Sequence, residues 1–281
     1  MHQLNRAIGV FDSGLGGLTI VKAIKELLPK ESVLYYGDTA HLPYGDKSPE
    51  VVRSYIRRIA RFLASEGVKA IVVACNTASA VLDEEFYSVC QNIPVVEVIT
   101  PAVQEALRYS ARRNIGVIGT KTTIQSHIYL KKILEKAPNA LVVEKATPLL
   151  VPLIEEGWQN QPFCSHVIEA YLSDTGFRHI DTLILGCTHY PVIQKEIESY
   201  FAQNFEFQVK VVNSSYPAAY YLANLLEEQH LLNSDSASLP DRFYVSDLNT
   251  NFLHIASSFL DVHFQLEKLS LETAGWIEPL K

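Results

Sequence analysis

The chain is 281 residues long with a formal charge of −7, and its 48% hydrophobic and 20% charged residues fit a globular composition. That length builds a core without covalent staples, which excludes disorder over most of the chain. Charges break every apolar run before the roughly 18 residues of a membrane helix, and no clustered basic surface marks a phosphate-backbone footprint. Neither a membrane nor a nucleic acid is therefore an expected partner.

The first apolar run, Ala7-Ile8-Gly9-Val10-Phe11, meets Asp12 too soon for a signal sequence, so the protein is expected in the cytoplasm. The run reads as a strand. Helical spacing follows over residues 18–28, then a strand at 33–36, a helix at 49–66, and strands at 70–74 and 95–98. Arg53, Arg57, Arg58 and Arg61 recur at helical spacing and read as a solvated helix face. A second series places strands at 115–118, 141–143, 182–185 and 209–212, with a helix at 192–201. The tail adds a helix at 215–228, a polar loop at 231–239, strands at 242–245 and 263–266, and a helix at about 251–259 between them. Most of these strands are continuously apolar, as in parallel sheets covered on both faces.

The two series echo each other. Gly9-Val10-Phe11-Asp12-Ser13 is matched by Gly116-Val117-Ile118-Gly119-Thr120, and Val73-Ala74-Cys75-Asn76-Thr77 by Leu185-Gly186-Cys187-Thr188-His189. The expected architecture is α/β: two similar doubly wound domains with mainly parallel sheets, related by a pseudo-twofold axis, with the active site in the cleft between them. Residues 1–98 and 209–281 are assigned to the first domain and 99–208 to the second.

Ligands of open α/β sheets bind beyond the carboxyl ends of the strands. Gly14-Leu15-Gly16 there starts like a dinucleotide fingerprint, but Thr19 takes the place of the third glycine and no P-loop lysine follows. What remains is a glycine-rich turn whose N–H groups could hold a carboxylate or phosphate, or serve only as a tight turn. With no secretory signal expected, the four cysteines are expected as reduced thiols, and none forms a C-x-x-C pair that would support a zinc ribbon or thioredoxin-type site. Cys90 and Cys164 read as core. Cys75 and Cys187 stand at matching strand ends, each followed by polar side chains. Two thiols facing each other across a cleft suit inversion of a stereocentre, one removing a proton while the other delivers one. Asp12, Glu155 or His189 could then orient or shuttle the proton. A Cys–His hydrolase leaves Cys75 without work, and a metal site from Cys75, Cys187 and His189 lacks a customary spacing.

Joined in this order, Val10-Phe11-Asp12-Ser13-Gly14-Leu15-Gly16-Gly17, Pro43-Tyr44-Gly45, Ala74-Cys75-Asn76-Thr77-Ala78, Pro152-Leu153-Ile154-Glu155 and Gly186-Cys187-Thr188-His189-Tyr190-Pro191 resemble the signature blocks of the bacterial glutamate racemases. The resemblance runs from about residue 7 to residue 268. It implies an isomerase that interconverts L- and D-glutamate for peptidoglycan synthesis, with glutamate as small-molecule substrate and with no cofactor or metal. It implies that Cys75 and Cys187 are the acid/base thiols, Cys75 serving the D enantiomer and Cys187 the L. Asp12 would assist Cys75, and Glu155 and His189 would assist Cys187. Asp12, Ser13, Tyr44, Gly45, Asn76, Thr77, Thr120, Thr123, Thr188 and His189 would hold the substrate. Thr122 and His41 depart from the residues frequent in that family. A homodimer is one assembly left open. Two other readings also stay open: a racemase acting on aspartate or another acid, and a binding protein for acidic ligands.

Overall fold

The structure is a computed structural model and describes residues 3–234, 239–248 and 265–272. Among the described residues, ten strands form two sheets, and every strand pair in both is parallel. The first sheet contains β1 (Ile8–Asp12), β2 (Val33–Gly37), β3 (Ala70–Val73), β4 (Val95–Glu97), β9 (Arg242–Val245) and β10 (Leu266–Lys268), in the order β10-β9-β2-β1-β3-β4. The second contains β5 (Asn114–Gly119), β6 (Leu141–Ala146), β7 (Thr182–Gly186) and β8 (Lys210–Val212), in the order β6-β5-β7-β8.

Every residue of β1, β2, β3 and β7 is buried, which is why these strands are unbroken apolar runs. Alternate side chains serve opposite faces. Ile8, Val10, Val33 and Tyr35 pack toward the helices Leu18–Leu27 and Ser215–Glu228. Phe11, Leu34, Tyr36 and Val73 pack toward the helix Pro49–Ser65. That helix begins as its sequence dictates: Ser48 caps the Val51 N–H, Pro49 opens the first turn, and Val52, Ile56, Ile59 and Leu63 make one buried stripe. On its outer side Arg53 and Arg57 pair with Asp83, and Arg58 with Glu272. The basic run is thus an ion-paired helix face.

Three expectations are adjusted. β8 hydrogen-bonds to β7, so residues 210–212 belong with the second sheet, and the chain returns to the first sheet after Val212 rather than before Val209. The last strand lies at Leu266–Lys268, later than the expected 263–266. The helix expected at 251–259 and part of the 231–239 loop lie outside the described residues. No helix among the described residues is long and apolar enough to cross a membrane.

One buried ion pair ties the edge of the first domain. Lys69 Nζ, fully buried, lies 2.5 Å from Glu31 Oε2 and donates to the carbonyls of Leu4 and Leu231. The Asn233 N–H donates to Glu31 Oε1 at 2.8 Å. Burial lowers the pKa of Lys69, and the Glu31 carboxylate opposes that shift. Lys69→Met strands Glu31 as an uncompensated buried charge and is expected to cost about 3–5 kcal/mol. Urea denaturation of the variant against the parent protein measures it.

Both sheets present the same switch point. β1 has β2 on one side and β3 on the other; β5 has β6 and β7 in the same relation. The chain therefore leaves the carboxyl ends of β1 and β3, and of β5 and β7, on either side of an equivalent crevice.

Candidate active site

A single cavity lies where these four strand ends meet. The loops after β1 and β3 contribute Ser13, Cys75, Asn76 and Thr77, and the segment after β2 contributes Tyr44 and Gly45. From the second sheet come Thr120 after β5 and Cys187, Thr188 and His189 after β7, with Glu155 from the helix Leu150–Glu155. Both thiols open into this cavity from separate sheets, each at the end of the strand flanking its sheet's switch point.

The two thiols have different surroundings. Cys75, 4% exposed, sits at the N-cap of the short helix Asn76–Ser79. Its Sγ accepts from the Ala78 N–H at 3.5 Å and lies 3.5 Å from Ser13 Oγ. Burial pushes this thiol up to about 12, with the nearby Asp12 charge adding to the effect; the contacts to Ser13 and Ala78 pull the other way. Cys187, 7% exposed, has its Sγ 3.8 Å from His189 Nδ1, and His189 Nε2 lies 3.1 Å from Glu155 Oε1. Burial works against a charged His189, but its hydrogen bonds with Cys187 and Glu155 and their negative charges outweigh burial. The pKa of His189 is therefore raised well above the usual imidazole value.

Two expected site residues do not line the cavity. Asp12 is fully buried behind it. Its Oδ2 accepts from the N–H groups of Gly14 (3.1 Å) and Gly17 (3.0 Å), and the Thr188 hydroxyl donates to its Oδ1 at 3.4 Å. The hydrogen-bonding side chain at Cys75 is therefore Ser13, and Asp12 acts on that thiol through its charge. Two N–H groups of the glycine-rich turn are likewise spent on Asp12 and do not face a ligand. Thr123 is also fully buried, with its hydroxyl 3.0 Å from that of Thr120 and 3.3 Å from that of Thr77. It supports the pair Thr77–Thr120, whose oxygens meet at 2.9 Å across the domain seam.

The walls are set by further hydrogen bonds. The Tyr44 hydroxyl donates to Asp38 at 2.5 Å. Asn76 donates to Tyr129 Oη at 2.7 Å and to Ser214 Oγ at 3.3 Å. Thr122 Oγ lies 3.0 Å from the carbonyl oxygens of both Gly45 and Lys47, closing the seam. Gly45 has no room for a side chain there, since a Cβ would meet Thr120 Cβ at 2.5 Å.

Sequence reasoning missed Asp46, Lys121 and Thr147 in the lining. Thr147 had a findable signal, because it follows β6 directly and its hydroxyl meets that of Tyr190 at 2.7 Å. Among the described residues, no group of three or more His, Cys, Asp or Glu side chains is placed to hold a metal ion.

Two parallel sheets whose strand ends close on one shared cavity form an α/β isomerase scaffold, and comparison places the chain in a racemase family. The Asp/Glu/Hydantoin racemase family model matches residues 8–218, and the chain belongs to that family. It is 42% identical over 253 residues to the glutamate racemase of Syntrophus aciditrophicus, covering 90% of this chain and 92% of that one. The fold is similar to the glutamate racemase of Francisella tularensis solved in complex with D-glutamate: TM-score 0.89, 39% identity, 96% of this chain and 99% of the other. It is also similar to the Thermus thermophilus glutamate racemase in complex with β-chloro-D-alanine: TM-score 0.83, 37% identity, 96% and 98% coverage.

Proposed function

We propose that the protein interconverts L- and D-glutamate with one of Cys75 and Cys187 taking the α-proton while the other delivers its own proton to the opposite face, with no cofactor. The observation that carries this reading is the pair of buried thiols entering one cavity from matching strand ends of separate sheets. Each thiol then addresses one face of the α-carbon. The high identity to glutamate racemases over most of the chain supports glutamate as the substrate.

From L-glutamate, Cys187 as thiolate takes the α-proton and the Cys75 S–H delivers one to the opposite face. His189 lies beside the Cys187 sulfur and is held on its other nitrogen by Glu155, so it is placed to orient or shuttle the proton there. Cys75, pushed up to about 12, rests as the neutral thiol that this direction requires. For the reverse direction the roles exchange. Ser13, Tyr44, Gly45, Asn76, Thr77, Thr120 and Thr188 border the cavity with hydroxyl, amide and backbone groups, which bind carboxylates by hydrogen bonding without burying a fixed cation. Asp12 and Thr123 act from behind, as positioning residues. The D-glutamate formed would serve peptidoglycan synthesis in the cytoplasm.

Protein treated with chelator and freed of pyridoxal, incubated with L-glutamate in deuterated water, is expected to give α-deuterated glutamate of both configurations. Thiol alkylation should stop the exchange. Activity lost with chelator alone would overturn the two-thiol reading in favour of a metal site.

The His189 relay has a pH signature. Its pKa is raised, so its imidazolium is lost at a pH above the usual imidazole range. Glu155→Gln removes one of the groups that raise it, so the alkaline limb of kcat/KM for L-glutamate should move to lower pH. A pH–rate profile of the variant checks the direction.

A further inference from the structure

We infer that Lys121, at the mouth of the cavity, is a specificity-determining residue that favours acidic over neutral amino acids by releasing Asp46 and taking a substrate carboxylate in its place. The inference rests on the proposed activity on glutamate.

Lys121 is the sole lysine or arginine among the described residues lining the cavity, where the other formal charges are Asp46 and Glu155. It follows Thr120 directly and so stands at the carboxyl end of β5. Its Nζ lies 3.0 Å from Asp46 Oδ1, and the pair reaches across the seam between the two domains. Both side chains are about half exposed, 51% and 56%. A water-exposed pair of that kind contributes little and exchanges readily with competing anions. The two residues also border a second, outer groove, which shares Gly45, Asp46 and Lys121 with the inner cavity and adds Lys47. Lys121 therefore marks the passage between the two.

The charge balance gives this position its consequence. The chain carries −7, and glutamate at neutral pH carries a net −1, so the protein as a whole repels its substrate. The Lys121 ammonium, once released from Asp46, offsets that repulsion for a carboxylate within the range of ionic screening, about 8–10 Å near physiological salt. A neutral amino acid gains nothing from it.

The test compares Lys121→Gln, Lys121→Arg and Lys121→Glu with the parent enzyme, following exchange of the α-proton of L-glutamate and of L-glutamine from about 20 mM to about 300 mM salt. At low salt, Lys121→Gln is expected to lose roughly fivefold in kcat/KM for glutamate, mainly through KM. Lys121→Glu should lose more, and Lys121→Arg should retain the parent value. The differences should shrink as salt rises, and the rate measured with glutamine should be the same in the variants as in the parent. An equal loss at low and high salt, or a loss shared by glutamine, would make Lys121 a structural tie and overturn the proposal, as would no loss at all. If the parent enzyme exchanges no α-proton of glutamate, the functional reading itself fails, a result distinct from a parent enzyme that turns over with variants that match it.

Discussion

Alanine at either Cys75 or Cys187 is expected to abolish racemisation in both directions, by about 10³-fold or more, because every turnover needs one thiol to take a proton and the other to give one. Serine should do no better, since its hydroxyl is far too weak an acid to act as the base near neutral pH. Half-reactions separate the two residues. A glutamate analogue with a β leaving group loses HX once its α-proton is removed, with no return of a proton from the opposite face. Cys187→Ala keeps the thiol assigned to the D enantiomer and should still eliminate HX from the D analogue; Cys75→Ala should do so from the L analogue. Chiral chromatography gives racemisation, and release of X gives elimination. Full racemase activity in either alanine variant would sink the assignment.

Gly16→Ala is expected to cost racemisation about 10²-fold although Gly16 carries no chemistry. A Cβ at this position would lie 2.5 Å from Thr188 Oγ and 2.8 Å from His189 Nδ1. Both side chains are buried, and His189 is held by Glu155 through its other nitrogen, so accommodating the Cβ disturbs the ring that lies against Cys187. A displacement of about 1 Å in a catalytic group costs about 10²-fold. That loss should fall on racemisation and on elimination from the L analogue. Elimination from the D analogue runs through Cys75 and should be largely spared, which distinguishes a displaced relay from a misfolded protein.

The scaffold was legible in the sequence where burial acts on whole strands. β1, β2, β3 and β7 are covered on both faces and therefore appear as unbroken apolar runs. The edges were harder. β6 continues through Glu144 and Lys145, whose charges are tolerated on a half-buried edge strand, and stopping it at Val143 hid Thr147. β10 carries Glu267 and Lys268 exposed, so no apolar run marks it. The thiols were legible because a cysteine recurs at the same point of two similar strand ends. The partners of Asp12 were not: whether a buried carboxylate turns to a thiol or to the N–H groups of Gly14 and Gly17 depends on backbone directions that residue order does not encode. Asp46 and Lys121 lie far apart in sequence, and only the seam between the domains makes them neighbours.

The placement of β9 between β2 and β10 bears on how the protein is made. β2 appears early in synthesis, but the strand that covers its outer edge begins about 200 residues later. At ribosomal rates of about 5–20 residues per second, that edge waits roughly 10–40 s with unpaired backbone groups, a hazard for pairing with other nascent chains. The delay reaches the cavity as well. The turn after β2 that leads to Tyr44 and Gly45 is pinned by the late segment: Thr39 donates to the Asp247 carbonyl, the Ala40 N–H donates to Ser246 Oγ, and Tyr36 donates to the Leu269 carbonyl. A ribosome-bound chain that already contains both cysteines thus still lacks the contacts that pin one wall of its cavity until the segment through Leu269 has been translated.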